Sequence, residues 1–103
     1  MIKRALLPLL LLMPGAGNAS STSAWSKLAA EAKARCSAES RLLRPSTSAP
    51  LVFSDSTGQV ALLVTGEFPQ KGLREVKGHY LCLYDRRHGR AEVQEAKGWR
   101  EAH

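Results

Sequence analysis

The chain has 103 residues, and its 15 lysines and arginines outnumber its 9 aspartates and glutamates, giving a formal net charge of +6. A chain this short forms one domain, and so small a domain is marginally stable without a covalent staple. The positive charge is too dilute for a nucleic-acid-binding protein, so we expect no nucleic-acid partner.

The first 19 residues have the composition of a secretory signal peptide. Lys3 and Arg4 form a short basic segment, residues 5–13 are apolar, and residues 17–19 place small side chains at a cleavage site. The alternative, an uncleaved membrane anchor, requires an apolar run about twice as long. We therefore expect cleavage after residue 19, no stable membrane span after cleavage, and a periplasmic or secreted protein.

The two cysteines favour a single disulfide, because exported proteins fold in an oxidising compartment. Cys36 and Cys82 lie 46 positions apart, and the chain entropy lost by closing such a loop corresponds to about 4 kcal/mol. The alternative is a pair of free thiols. The sequence has no Cys-x-x-Cys motif that would indicate a thioredoxin-like redox role.

Residues 24–40 are predicted to form an amphipathic helix that is rich in alanine, a strong helix former. Apolar side chains recur at helical spacing and form one stripe: Trp25, Leu28, Ala29, Ala32 and Cys36. The stripe places Cys36 against the rest of the core, and we expect Trp25 to anchor that core.

Four strands are predicted after the helix, arranged as two hairpins. The first hairpin pairs residues 51–54 with residues 59–67, and the second pairs residues 79–85 with residues 90–96. Each pair of apolar segments is joined by a turn that contains aspartate and glycine, a combination typical of tight turns.

The predicted fold class is α+β, with one N-terminal helix packed on a four-stranded antiparallel sheet and one disulfide. Proline-containing or glycine-containing loops are expected over residues 45–50 and 68–78. The resulting domain organisation is a signal peptide at residues 1–19, a single domain at residues 20–96 and a polar tail at residues 97–103.

Both sides of the third predicted strand are apolar. Alternation places Tyr80, Cys82 and Tyr84 on one side, and Leu81 and Leu83 on the other. A bond between Cys82 and Cys36 turns the tyrosines toward the helix and the leucines away from it. Because one helix covers one side of a sheet, the leucine side requires another cover. The alternatives are the tail with Trp99, the loop at residues 45–50, a second subunit and a partner.

No pattern in the sequence predicts a catalytic, metal or cofactor site. The three histidines lack the spacing of metal ligands, and neither a nucleophile elbow nor a glycine-rich phosphate loop is present. We therefore expect a protein that is not an enzyme and requires no cofactor.

The densest charge lies at the tip of the second predicted hairpin. Its members are Arg86, Arg87, His88 and Arg90. Such a tip can bind an anionic surface, whether phospholipid head groups, a polyanionic glycan or the acidic residues of an envelope protein. The alternative is a solvated turn. These four residues, together with Leu81 and Leu83, are the candidate partner-binding residues.

Residues 52–55, 58–66, 81–86 and 89–95 resemble a group of small exported proteins of Gram-negative bacteria that has no assigned activity. The resemblance spans roughly residues 25–96. It implies an exported protein with the predicted fold, and it brings no catalytic residues with it.

Three functions are compatible with this sequence. The first is a non-enzymatic periplasmic binding or interaction module, an organisation that small inhibitors of envelope hydrolases share as an analogy of fold. The second is a homo-oligomeric structural envelope protein, in which the uncovered side of the sheet forms a homodimer interface. The third is a small hydrolase.

Overall fold

The computed structural model describes residues 22–73 and 76–99. The chain forms helix α1 (Thr22–Ser40), then strands β1 (Leu43–Thr47), β2 (Leu51–Val52), β3 (Gln59–Glu67), β4 (Lys77–Asp85) and β5 (Arg90–Glu95). The strands make one antiparallel sheet in the order β1-β3-β4-β5, and β2 pairs with β3 on the same edge as β1. The predicted fold class is confirmed. The predicted signal peptide lies outside the described residues.

Helix α1 packs along the sheet from its second turn onward. Ala32 and Cys36 are buried, and Leu28 packs against them. Trp25 lies one turn earlier, beyond that packed stretch, and is 46% exposed. The prediction that Trp25 anchors the core is therefore wrong. No helix within residues 22–73 and 76–99 is long and apolar enough to cross a membrane.

The predicted loop at residues 45–50 is partly wrong, because β1 extends through residue 47. β1 pairs with β3 through an irregular register between Leu43 and Ser46. Pro45 lies in this irregularity, where its missing N–H leaves no gap in a regular ladder. Arg44 just before it adopts a left-handed φ of 46°. A proline is therefore accommodated in an edge strand, which the loop prediction did not allow for.

The core lies between α1 and one side of the sheet. Its buried members are Ala32, Cys36, Leu42, Val60, Leu62, Val64, Cys82 and Tyr84. As predicted, Cys82 and Tyr84 face the helix. Leu62 pairs with Cys82 and Leu63 with Leu81, and residues directly opposite each other share one side of a sheet. The register therefore places Leu62 in the core and Leu63 beside Leu81.

The predicted disulfide is present. Cys36 of α1 and Cys82 of β4 are bonded with 5.9 Å between their Cα atoms, and both residues are fully buried. The bond joins the helix to a central strand at the middle of the core. It therefore fixes which side of β4 meets α1.

Two glycines make room for Leu42, the second residue after α1. Gly66 and Gly78 are partners in the β3–β4 register. A Cβ at Gly66 would lie 2.8 Å from both Leu42 Cβ and the Leu43 carbonyl oxygen, and one at Gly78 would lie 2.9 Å from Leu42 Cδ2. The paired glycines therefore form a slot that Leu42 fills.

Candidate functional site

The side of the sheet that faces away from α1 carries a contiguous apolar surface, which we call the open face. It consists of Leu51, Ala61, Leu63, Leu81, Leu83 and Trp99. Three of its large side chains remain in contact with solvent: Leu51 is 66% exposed, Leu83 is 42% exposed and Trp99 is 57% exposed. Single exposed apolar residues are ordinary, but a connected set is typical of a binding surface.

Polar side chains border the open face on the neighbouring cross-strand rows. One row contains Gln59, Asp85 and Arg90, the opposite one contains Thr65 and His79, and Glu92 and Gln94 lie on the β5 side. The surface therefore has an apolar centre and a polar rim, which is the usual anatomy of a protein-binding patch.

A groove of about 360 Å³ lies in the open face. Its apolar lining includes Leu51, Leu63, Leu81 and Trp99. Trp99 reaches it because Gly98 adopts a positive φ of 84° and the Trp99 N–H donates to the Ala96 carbonyl at 3.0 Å. Residues 97–99 thus lie beside part of the open face, and Leu51 and Leu83 remain exposed.

The β3 edge of the sheet is closed by β1, β2 and the segment between them. The Ser48 N–H donates to the Leu63 carbonyl at 3.0 Å, and the Leu63 N–H donates to Ser48 Oγ at 2.9 Å. The serine hydroxyl therefore replaces the main-chain acceptor missing between the two strands. β3 is therefore an interior strand of the sheet along its whole length.

Two of the four candidate cations at the β4–β5 turn are held within the chain. Arg86 forms an ion pair with the Asp55 carboxylate, and Arg87 donates to the carbonyls of Asp55 and Ser56, the latter at 2.7 Å. The Arg87 side chain also lies over Gly58, where an added Cβ would be 3.0 Å from Nε. These arginines tie the β4–β5 turn to the turn before β3.

The other two candidate cations differ in their surroundings. His88 Nδ1 lies 2.8 Å from Asp85 Oδ2, and this hydrogen bond, with one from the Arg87 N–H, holds the pKa of Asp85 below its ordinary value. The exposed side chain of Arg90 makes no hydrogen bond or ion pair with any described residue. Binding of the tip to an anionic surface stays a prediction, with Arg90 as its freest cation.

Two hydrogen bonds connect α1 to β4 and to the β4–β5 turn. The Tyr84 hydroxyl donates to the Glu31 carboxylate, and Arg35 Nη1 donates to the Gly89 carbonyl at 2.9 Å. Burial raises the pKa of Tyr84, and the hydrogen bond and negative charge of Glu31 raise it further. These contacts orient the helix on the sheet.

The described part of the chain contains no group of three or more histidine, cysteine, aspartate or glutamate side chains that could hold a metal ion. No protein-family model, curated protein or solved structure matches the chain. The function is therefore inferred from the open face and its rim.

We expect the phenol of Tyr84 to titrate above its ordinary pKa of about 10. The chain has two tyrosines, so phenolate absorbance in Tyr80→Phe reports Tyr84 alone. Adding Glu31→Gln should lower the midpoint but leave it raised, because burial is the largest cause of the shift. Since the raised pKa favours the neutral phenol, its contribution to stability is lost as the pH rises through the native value. A midpoint at or below 10 would contradict the buried position.

Leu81 and Leu83 were assigned to the open face from the sequence, whereas Leu51 and Ala61 were not, and Ser48 was not expected to pair with β3. Ala61 and Leu63 could have been assigned only from the β3–β4 register. Ser48 lies in a run of small polar residues that is typical of a loop, and no local signal marks its hydroxyl as part of the sheet.

Proposed function

We propose that the protein is a non-enzymatic interaction module of an exported compartment, and that it binds a protein partner through the open face. The observation that carries the proposal is the exposure of Leu51, Leu83 and Trp99 within one apolar surface that polar residues border on three sides. The buried disulfide supports an oxidising compartment such as the periplasm.

The free energy available from this surface suits reversible binding. A fully buried leucine contributes about 1.5–3 kcal/mol relative to an exposed one. Leu51 and Leu83 are partly shielded already, so each gains a fraction of that amount, and Trp99 adds the large contact area of its indole. Part of the sum offsets the loss of translational and rotational freedom on association.

The test compares Leu83→Lys with Leu73→Lys. Both leucines are 42% exposed, but Leu73 lies in the connection between β3 and β4 and is not a residue of the open face. A photo-crosslinking amino acid at position 83 identifies the bound protein, and titration of that purified protein measures its affinity for each variant.

Leu83→Lys should weaken binding by about tenfold or more, whereas Leu73→Lys should bind like the unmodified chain. Both variants should retain the unmodified thermal unfolding midpoint, because neither side chain is in the core. Equal loss of binding in both variants, or no loss in either, would show that the open face is not the binding surface.

A further inference from the structure

The side chains that β4 presents on the open face and its rim are self-complementary. In chain order they are His79, Leu81, Leu83 and Asp85. Two leucines thus lie at the centre, with an imidazole at one end and a carboxylate at the other. A two-fold axis midway between the leucines would run two β4 strands antiparallel, with Leu81 on Leu83 and His79 on Asp85 of the second copy. An isologous interface requires this reciprocity.

The neighbouring strand fits the same axis. Ala61 is paired with Leu83 and Leu63 with Leu81, so the axis would place Ala61 of one copy on Leu63 of the other. The rim residues Gln59 and Thr65 would meet in the same way, polar against polar. One axis therefore matches apolar and polar positions on both central strands.

The exposed indole of Trp99 fits the same two-fold arrangement. Trp99 shares the groove with Leu51, Leu63 and Leu81. The chain approaches the groove from the His79 row, where the His79 carbonyl accepts the Ala96 N–H. The exposed Leu51 and Leu83 lie in the adjacent row, which they share with Ala61. The two-fold axis would bring the Trp99 of each copy onto Leu51 and Leu83 of the other, covering the three most exposed side chains of the open face.

The dimensions of this surface indicate a small contact. Four strands spaced about 4.8 Å apart, and four rows along them, give roughly 400 Å² per copy. A standard interface buries about 800 Å² per partner. The contact would therefore be weak and reversible, with dissociation in the micromolar range.

We propose that the partner of the open face is a second copy of this chain, packed face to face about that two-fold axis. The inference rests on the proposed function, because it names the occupant of the same surface. The excess positive charge of the chain disfavours self-association at low salt. Added salt should therefore maintain or strengthen the dimer, whereas it would weaken binding to an anionic surface.

The experiment is sedimentation velocity of the exported protein from about 1 to 500 μM, a range that brackets a micromolar dissociation constant. The unmodified chain and Leu73→Lys should form dimers. Leu83→Lys and Leu81→Glu should each be monomeric, because each introduces a charge into the apolar centre. An equimolar mixture of these two variants should dimerise, since the axis places position 83 of one copy against position 81 of the other and the opposite charges meet.

The outcomes separate the inference from the proposed function. A mixture that stays monomeric, although the unmodified chain dimerises, overturns the two-fold arrangement. An unmodified chain that is monomeric throughout the range overturns the second copy as partner, and the crosslink at position 83 then tests the proposed function by itself. Circular dichroism of each variant checks that its monomer is folded.

Discussion

Cys82→Ser should lower the free energy of unfolding by about 2–5 kcal/mol. The disulfide joins α1 to β4 across a separation of 46 residues, so its removal returns considerable chain entropy to the unfolded state. The substitution also leaves a hydroxyl and a free thiol in a site where both cysteines are fully buried. Urea denaturation, with the slope of the transition compared between variants, measures the loss.

The matched control is the double substitution Cys36→Ala with Cys82→Ala, which removes the bond without leaving a buried hydroxyl or a reactive thiol. The double variant should be more stable than Cys82→Ser but less stable than the unmodified chain. The remaining loss of unfolding free energy is the contribution of the crosslink. Native protein should resist thiol alkylation without a reductant. Alkylation of both cysteines in the folded, non-reduced protein would contradict the bond.

The hairpins of this fold were predictable because their signals are local. β3 was predicted with its observed bounds, Gln59–Glu67, since an apolar, β-branched segment follows a turn containing Asp55 and Gly58. β1 was not predictable in the same way. Pro45 and the serines around it are typical of a loop, and the strand forms only because β3 presents a free edge to it. Pairing between distant segments outweighed the local preference.

The helix shows a second limit of pattern reasoning. A stripe at helical spacing indicates which side of α1 is buried, but not where the sheet beneath it ends. Trp25 lies on the predicted stripe and is nevertheless exposed, whereas Leu28, one turn later, packs on the core. The extent of contact along the helix is a property of the whole fold, which the spacing of residues within α1 does not determine.

The open face was predictable in part for a comparable reason. The bond from Cys82 sets the phase of β4, so Leu81 and Leu83 had to face away from α1. The choice between Leu62 and Leu63 depends on the register across the connection between β3 and β4, which no local motif fixes. The roles of Arg86 and Arg87 depend on two turns meeting in space, and charge clustering in the sequence does not show that they are paired.

Gly66→Ala should destabilise the protein by about 1–3 kcal/mol, the usual cost of overpacking, and Gly78→Ala should cost less. At Gly66 the new methyl group would meet the backbone oxygen of Leu43 at 2.8 Å, and a backbone atom in a paired strand cannot easily move. At Gly78 the close atoms belong to the side chains of Leu42 and Phe68, which can adopt other rotamers. Thermal or urea unfolding of the two variants checks the order.

Leu42→Ala distinguishes a tight slot from a general loss of stability. Alone it should cost about 2–5 kcal/mol, because it empties a buried site. Combined with Gly78→Ala it should cost less than the sum, by about 1 kcal/mol, since the substitution removes the Cδ2 atom that the new methyl group meets. Combined with Gly66→Ala it should show little such relief, because the Leu43 carbonyl oxygen remains. Additive losses in both combinations would show that Leu42 does not fill the space left by the paired glycines.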